Sequence, residues 1–248
     1  MSFVHKVALV AGGGGGMGLN IANDLIAAGA GVSLADVKAE PDEIRDGPGS
    51  YRYYQGDLTD EAFVREVSTD TVNEFGGLDY LVNSAGVLWF DRDVSFSAMD
   101  LDVWDEVYNI NLKSFVMTSR YAVTEMKKRG GGAMVHFASI DALRGEIKPQ
   151  DAYATSKAAV IRLSKSIAVQ FAAEGIRSNT ILPGPVLSPM QDRWRGKVDI
   201  QAAVAKGIPL GRIGTTQDQS NACLFLLSDK ASFITGTDLI VDGGLSAQ

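Results

Sequence analysis

The chain has 248 residues, 46% of them hydrophobic and 21% charged, with a net charge of −7. This is an ordinary globular composition with enough apolar mass for a sizeable core. The acidic balance disfavours nucleic acid and anionic membrane as partners, since both require a basic face, and the single cysteine, Cys223, excludes an intrachain disulfide.

The first apolar run, Val7 to Ala11, stops at glycine. It is too short for a signal-peptide core or a membrane span, so the default expectation is a reducing, cytoplasmic location. Residues 6–11 read as a strand. Residues 17–29 read as a helix, with Leu19, Ala22, Leu25 and Ile26 on one face and a stop at Gly29. Strands follow at 31–36 and 51–57, a helix at 61–77, and a strand and turn at 78–86. Residues of about 102–128 are expected to be helical throughout. A strand at 133–139, a long helix at 152–175 and strands at 176–184 and 238–244 complete the series. Cys223 lies in the apolar helical stretch NACLFLL and His136 in an apolar strand, and both read as packing residues. Neither histidine is placed in a loop that would suit a hydrolase triad, and no His, Cys and carboxylate set has metal-ligand spacing. Continuously apolar strands alternating with helices imply an α/β fold: a doubly wound, Rossmann-type parallel sheet in a single three-layer domain spanning 1–248.

Residues 11–18 read AGGGGGMG. A glycine run elsewhere would suggest a flexible linker. Here it sits between a core strand and an amphipathic helix, and the next strand ends in Asp36. That is the setting in which glycine lets a backbone approach a dinucleotide pyrophosphate, with the helix N-terminus facing the phosphates. The run fits G-x-G-x-x-G as Gly13, Gly15 and Gly18, and a wider G-x-x-x-G-x-G as Gly12, Gly16 and Gly18.

The second half of the chain adds further motifs. Tyr153-Ala-Thr-Ser-Lys157 is a weak motif alone. It stands with NSAG at 83–86, NIN at 109–111, Ser139 at a strand end, Pro183-Gly184 and a TGTDLIVDGG ending. Together these resemble the short-chain dehydrogenase/reductase family, in its short single-domain branch, over essentially the whole chain. The resemblance implies the wider glycine spacing and an NAD cofactor site made by Gly12, Gly15, Gly16, Met17, Gly18, Asp36, Asp57, Leu58, Asn83, Ala85, Gly86, Tyr153, Lys157 and Val186. It also implies catalysis by Asn111, Ser139, Tyr153 and Lys157. Ala11 stands where the family has Thr, and Ser84 where it has a second Asn, which bears on how firmly the glycine loop is held.

Tyr153 and Lys157 share a helix face. A nearby ammonium and an oxidised nicotinamide would both favour the tyrosinate, making a general acid/base for alcohol and ketone interconversion. Ser139 would hydrogen-bond the substrate oxygen. By resemblance, Lys157 also holds the nicotinamide ribose and Asn111 a water of the proton relay. Asp36 can accept both adenosine ribose hydroxyls, and Lys38 beside it reads as solvated, so NAD is expected over NADP. Asp57 either caps the next helix or, with Leu58, flanks the adenine.

Residues 185–212 break the strand–helix rhythm and read as a substrate lid. The expected pocket mixes Leu88, Trp89, Leu143, Met190 and Trp194 with Asp141, Arg144 and Glu146. That suits a cyclic or aromatic secondary alcohol, or a polyol or sugar. Apolar positions on several faces of the long helix, with the resemblance, imply a homotetramer. The alternatives are a 3-oxoacyl thioester reductase, disfavoured by Asp36 and the acidic balance, and a non-catalytic dinucleotide-binding scaffold, disfavoured by the intact Ser, Tyr, Lys and Asn set.

Overall fold

The computed structural model describes residues Met1–Gln248. Its strands are β1 (Val7–Ala11), β2 (Gly31–Asp36), β3 (Ser50–Gln55), β4 (Tyr80–Asn83), β5 (Gly132–Phe137), β6 (Ile176–Pro183), β7 (Val186–Leu187), β8 (Gly214–Thr215) and β9 (Asp238–Val241). Seven form one sheet in the order β3-β2-β1-β4-β5-β6-β9, with every neighbouring pair parallel. β7 and β8 pair only with each other. The helices are α1 (Gly16–Ala27), α2 (Glu61–Phe75), α3 (Leu101–Tyr108), α4 (Ser114–Lys128), α5 (Asp151–Gln170), α6 (Val198–Lys206) and α7 (Thr216–Leu227).

Every residue of β1 is buried, because helices cover both faces of the sheet. Side chains alternate along a strand. Ala8 and Val10 therefore face α1 and α7, packing with Ile21, Leu25, Ile26, Cys223 and Leu226. Val7, Leu9 and Ala11 face the other layer, with Val64, Val67, Met117, Met126 and Ile167 from α2, α4 and α5. Chain order reverses between β1, which leads outward to β2, and β4, which leads the other way. Beyond the carboxyl ends of these two strands lies the crevice where such sheets bind ligands. No helix is long and apolar enough to cross a membrane.

Several boundaries differ from the sequence reading. The long helix ends at Gln170, not 175; a 3-10 turn at Ala172–Glu174 follows, and Gly175 turns left-handed at φ 73. The expected unbroken helix of 102–128 is α3 and α4 joined by a π turn at Asn109–Lys113. β5 ends at Phe137, so Ser139 is free of the strand and instead caps a 3-10 turn at Ile140–Leu143. His5 lies in a turn at φ 61, outside any regular element.

Gly12 adopts φ 89, and a Cβ there would stand 2.3 Å from the Ala85 nitrogen. A Cβ on Gly18 would stand 2.1 Å from the Gly12 oxygen. Both glycines let α1 start directly against the ends of β1 and β4. Gly15 differs: its φ of 167 is extended, and a Cβ there would meet only Lys38 Nζ, at 3.7 Å. Gly18→Ala is therefore expected to lower stability in urea unfolding by roughly 2 kcal/mol or more. Gly15→Ala should stay within about 0.5 kcal/mol of the parent.

Candidate active site

A cleft of about 770 Å³ opens above β1 and β4. Gly12, Gly15, Gly16, Met17 and Gly18 form its floor, Asp36, Asp57 and Leu58 one side, and Ala85 and Gly86 the other. Gly15 occupies the N-cap of α1 and offers no side-chain cap, so the first-turn N–H groups are left for a ligand. No acidic residue lies in that turn. The loop is stiffened from outside: Ser84 Oγ donates to the oxygens of Ala11 and Gly12 at 3.1 and 3.2 Å. The serine that departs from the family pattern thus still ties the loop to the end of β4.

Asp36 Oδ2 accepts from the Gly14 nitrogen at 2.9 Å, and Oδ1 from the Lys38 nitrogen at 3.0 Å. Lys38 is exposed, as its place in the sequence suggests, and it also lines the cleft beside Asp36, its ammonium near Gly15. Asp57 does not cap α2; Asp60 does, accepting from the Ala62 nitrogen at 2.9 Å. Asp57 turns back on the Thr59 nitrogen at 2.8 Å, which leaves it and Leu58 along the cleft.

At the inner end, behind Gly86, three segments converge. A Cβ on Gly86 would stand 3.2 Å from both Asn111 Oδ1 and Lys157 Nζ. Asn111 is fully buried in the π turn, where the wider helical turn aims it at the loop after β4. Its side chain accepts from the Val87 nitrogen at 2.8 Å and donates to the Val87 oxygen at 3.0 Å and Ser156 Oγ at 3.2 Å. Lys157 Nζ donates to the Phe137 oxygen at 3.0 Å and stands 5.7 Å from the centre of the Tyr153 ring. Burial lowers the Lys157 pKa to about 8.

Burial also dominates at Tyr153 and raises its pKa above the ordinary 10.0. Ser139, close enough for its hydroxyl to serve a phenolate once turned from Asp141, opposes this, while the charges of Asp141 and Glu146 raise it further. Sequence reasoning had Lys157 lowering this pKa. In the free protein desolvation wins, and Tyr153 is a protonated phenol across the neutral range.

Asn111, Ser139, Tyr153 and Lys157 lie behind the cleft wall at Gly86 and do not themselves line the cleft, and two cofactor-site placements differ further from expectation. Asn83 does not reach the cleft. Its side chain accepts from Thr118 at 2.8 Å and donates to His136 Nδ1 at 3.0 Å, inside the core. His136 is held neutral by burial, its pKa near 4, so its Nδ1 is the acceptor. Val186 is buried and pairs with Gly214 rather than lining the cleft. In the 185–212 segment, a 3-10 turn at Pro189–Trp194 and α6 follow β7. Ser188, Pro189 and Met190 border the cleft, and Arg193 stacks 3.5 Å above the Phe90 ring.

This constellation reads as a dinucleotide cleft ending in a Ser, Tyr, Lys and Asn set, and the family comparisons agree. A family model described as "Enoyl-(Acyl carrier protein) reductase" matches residues 12–246. The fold matches a short-chain type dehydrogenase/reductase from Mycobacterium ulcerans at TM-score 0.92 and 30% identity, covering 100% of this chain and 92% of that one. The chain belongs to the short-chain dehydrogenase/reductase family. It is 33% identical to cis-4-hydroxycyclohexanecarboxylate dehydrogenase of Sinomonas cyclohexanicum, over 99% of this chain and 98% of that protein. It is also 33% identical to D-beta-hydroxybutyrate dehydrogenase of Rhizobium meliloti, over 98% and 99%. As a member of this family the chain is an oxidoreductase with a dinucleotide-binding fold, and its relatives act on hydroxyl or ketone groups of small molecules.

One residue of the site was invisible to sequence reasoning. Asp93 is buried and accepts from the backbone nitrogens of Ala152 at 3.0 Å and Tyr153 at 2.8 Å. It caps the start of α5 from far along the chain, where Gln150 at the N-cap makes no side-chain bond. No local spacing announces such a cap. Asp93→Ala should cost about 2 kcal/mol in urea unfolding, since two buried N–H groups lose a charged acceptor. Asp93→Asn, which keeps one neutral acceptor, should cost about half as much.

Proposed function

We propose that the protein is an NAD-dependent dehydrogenase interconverting a secondary alcohol and a ketone, with Tyr153 as the general acid/base. What supports this reading is the approach of Lys157 Nζ and Asn111 Oδ1 to Gly86, a residue of the glycine-floored cleft, with Tyr153 one helical turn before Lys157 on α5. The open Gly15 backbone and the uncapped start of α1 suit a pyrophosphate. When bound, the nicotinamide supplies the hydride acceptor or donor. Tyr153 Oη takes the alcohol proton or returns it to the ketone oxygen. Ser139 Oγ holds that oxygen, and Lys157 holds the adjacent ribose and adds positive charge. Asn111 anchors the proton route on the Ser156 side. The names of the two relatives support a hydroxyl-bearing carbon as the reacting centre.

Tyr153→Phe should retain cofactor binding, read by fluorescence quenching, and lose nearly all turnover. Because burial holds the Tyr153 pKa up, alcohol oxidation should rise with pH from about 7 to about 10, while ketone reduction should not rise. A flat oxidation profile counts against this role.

Asp36 carries the cofactor preference. A carboxylate accepts ribose hydroxyls and repels the extra phosphate of NADP. We expect kcat/KM for NADH to exceed that for NADPH at least about tenfold, roughly 1.4 kcal/mol. Asp36→Ala should erode this preference. Lys38→Ala should sharpen it, because the ammonium over Gly15 offers the phosphate a partner. Equal values in the parent protein would overturn the assignment.

The 185–212 segment acts as the lid, with the Arg193–Phe90 stack as its latch. Amide exchange at 188–210 should slow when cofactor and a substrate analogue bind. The assembly is a homotetramer: Val169 on the outer face of α5 is 82% exposed and Phe233 before β9 is fully exposed, apolar surface that a closed assembly would cover. Light scattering should return about four times the 26.4 kDa chain mass.

A further inference from the structure

We propose that Asp141 sets the substrate class of this site as a vicinal diol or polyol, oxidised at one carbinol while the neighbouring hydroxyl donates to the Asp141 carboxylate. The inference rests on the dehydrogenase reading above.

It follows from the single hydrogen of the Ser139 hydroxyl. In the free protein that hydrogen is donated to Asp141 Oδ2 at 3.1 Å, and Ser139 Oγ accepts from the Asp141 nitrogen at 3.2 Å. To hold a substrate oxygen as negative charge develops, Ser139 must turn its hydrogen away from Asp141. Oδ2 then loses its Ser139 donor, and the neighbours left to Asp141 are Arg144, on Oδ1, and the Glu146 carboxyl, whose pKa burial and Asp141 raise. The Asp141 side chain is only 23% exposed, and an acceptor-only carboxylate stripped of its donor in such a place is costly. A simple secondary alcohol brings no replacement; a hydroxyl on the next carbon does. Oxygens on adjacent carbons stand about as far apart as two hydrogen-bonded oxygens, which matches the 3.1 Å between Ser139 Oγ and Asp141 Oδ2. One hydroxyl meets Ser139 and Tyr153, the other Asp141.

The surrounding charges favour an uncharged substrate. Arg144 Nη2 reaches the other Asp141 oxygen at 3.4 Å and Glu146 at 3.1 Å. Arg193 lies on Phe90, donates to Gln191 and faces Glu146. Each guanidinium on this side already faces a carboxylate, so an anionic group would meet Asp141 and Glu146 as well. Both carboxylates also raise the Tyr153 pKa, against formation of the phenolate. A substrate hydroxyl donated to Asp141 disperses part of that charge at the moment Tyr153 must accept a proton.

The step balances as an ordinary dehydrogenation. The hydroxyl proton of the reacting carbinol passes to Tyr153, and the electron pair of its C–H bond leaves as hydride to the oxidised nicotinamide. The C–O bond becomes C=O and the neighbouring C–OH is unchanged. The products are an α-hydroxy ketone, the reduced cofactor and one proton.

The test is kcat/KM with NAD for vicinal cyclohexanediols, cyclohexanol and the vicinal hydroxycyclohexanecarboxylates, in the parent protein, Asp141→Ala and Asp141→Asn. Turnover of cyclohexanol, abolished by Tyr153→Phe, reads the dehydrogenase assignment by itself. The diol-to-cyclohexanol ratio reads Asp141. The parent ratio should be at least about tenfold, falling to within about threefold of unity in Asp141→Ala. Asp141→Asn, which keeps the side-chain shape if the alanine variant fails to fold, should lower the ratio too. A ratio unchanged in both variants overturns the proposal, as does a parent protein that prefers cyclohexanol or the hydroxy acids to the diols.

Discussion

The structure depends on one close approach between backbones. Gly12 lies against Ala85 and Gly18 against Gly12, at distances that leave no room for a Cβ on either glycine. This seats the first turn of α1 over the gap where strand order reverses between β1 and β4. The crevice, the uncapped N–H groups and the path to Gly86 all follow from it. Ser84 secures the contact by donating to two loop carbonyls. A glycine run that would be a hinge elsewhere is here tightly packed over Gly12 to Gly14 and open at Gly15.

The inner end is organised by desolvation. Tyr153 and Lys157 are both buried, so each is pushed toward its neutral form, the phenol upward and the ammonium down to about 8. At neutral pH the phenol is protonated and the lysine is still largely an ammonium. Asp93 fixes where Tyr153 stands by holding the first turn of α5. The π turn does the same for Asn111, whose side chain is fully engaged with Val87 and Ser156.

The glycine floor and the Tyr and Lys pair lie on the sheet's strand ends and its helices. The turn after Ser139 and the 185–212 segment lie outside the sheet. Arg144 pairs there with both Asp141 and Glu146.

The order of strands and helices was legible in the sequence because apolar periodicity and glycine stops are local signals. So was the glycine loop, since its strand-before, helix-after setting is a matter of adjacency, and so was the Tyr153 and Lys157 pair, because i and i+4 share a helix face. What the sequence alone could not decide depends on groups that meet only after folding. Asn83 sits in a motif beside the cleft, yet turns inward because Thr118 and His136 wait for it in the core. Lys38 is solvated as expected, but that its ammonium also comes beside the glycine loop is set by the turn after β2. Asp93 caps a helix whose own N-cap residue makes no side-chain bond. Local propensity sets which elements form. Which buried polar groups find partners is decided by tertiary packing, because a donor or acceptor withdrawn from water must be satisfied by whatever the fold brings beside it.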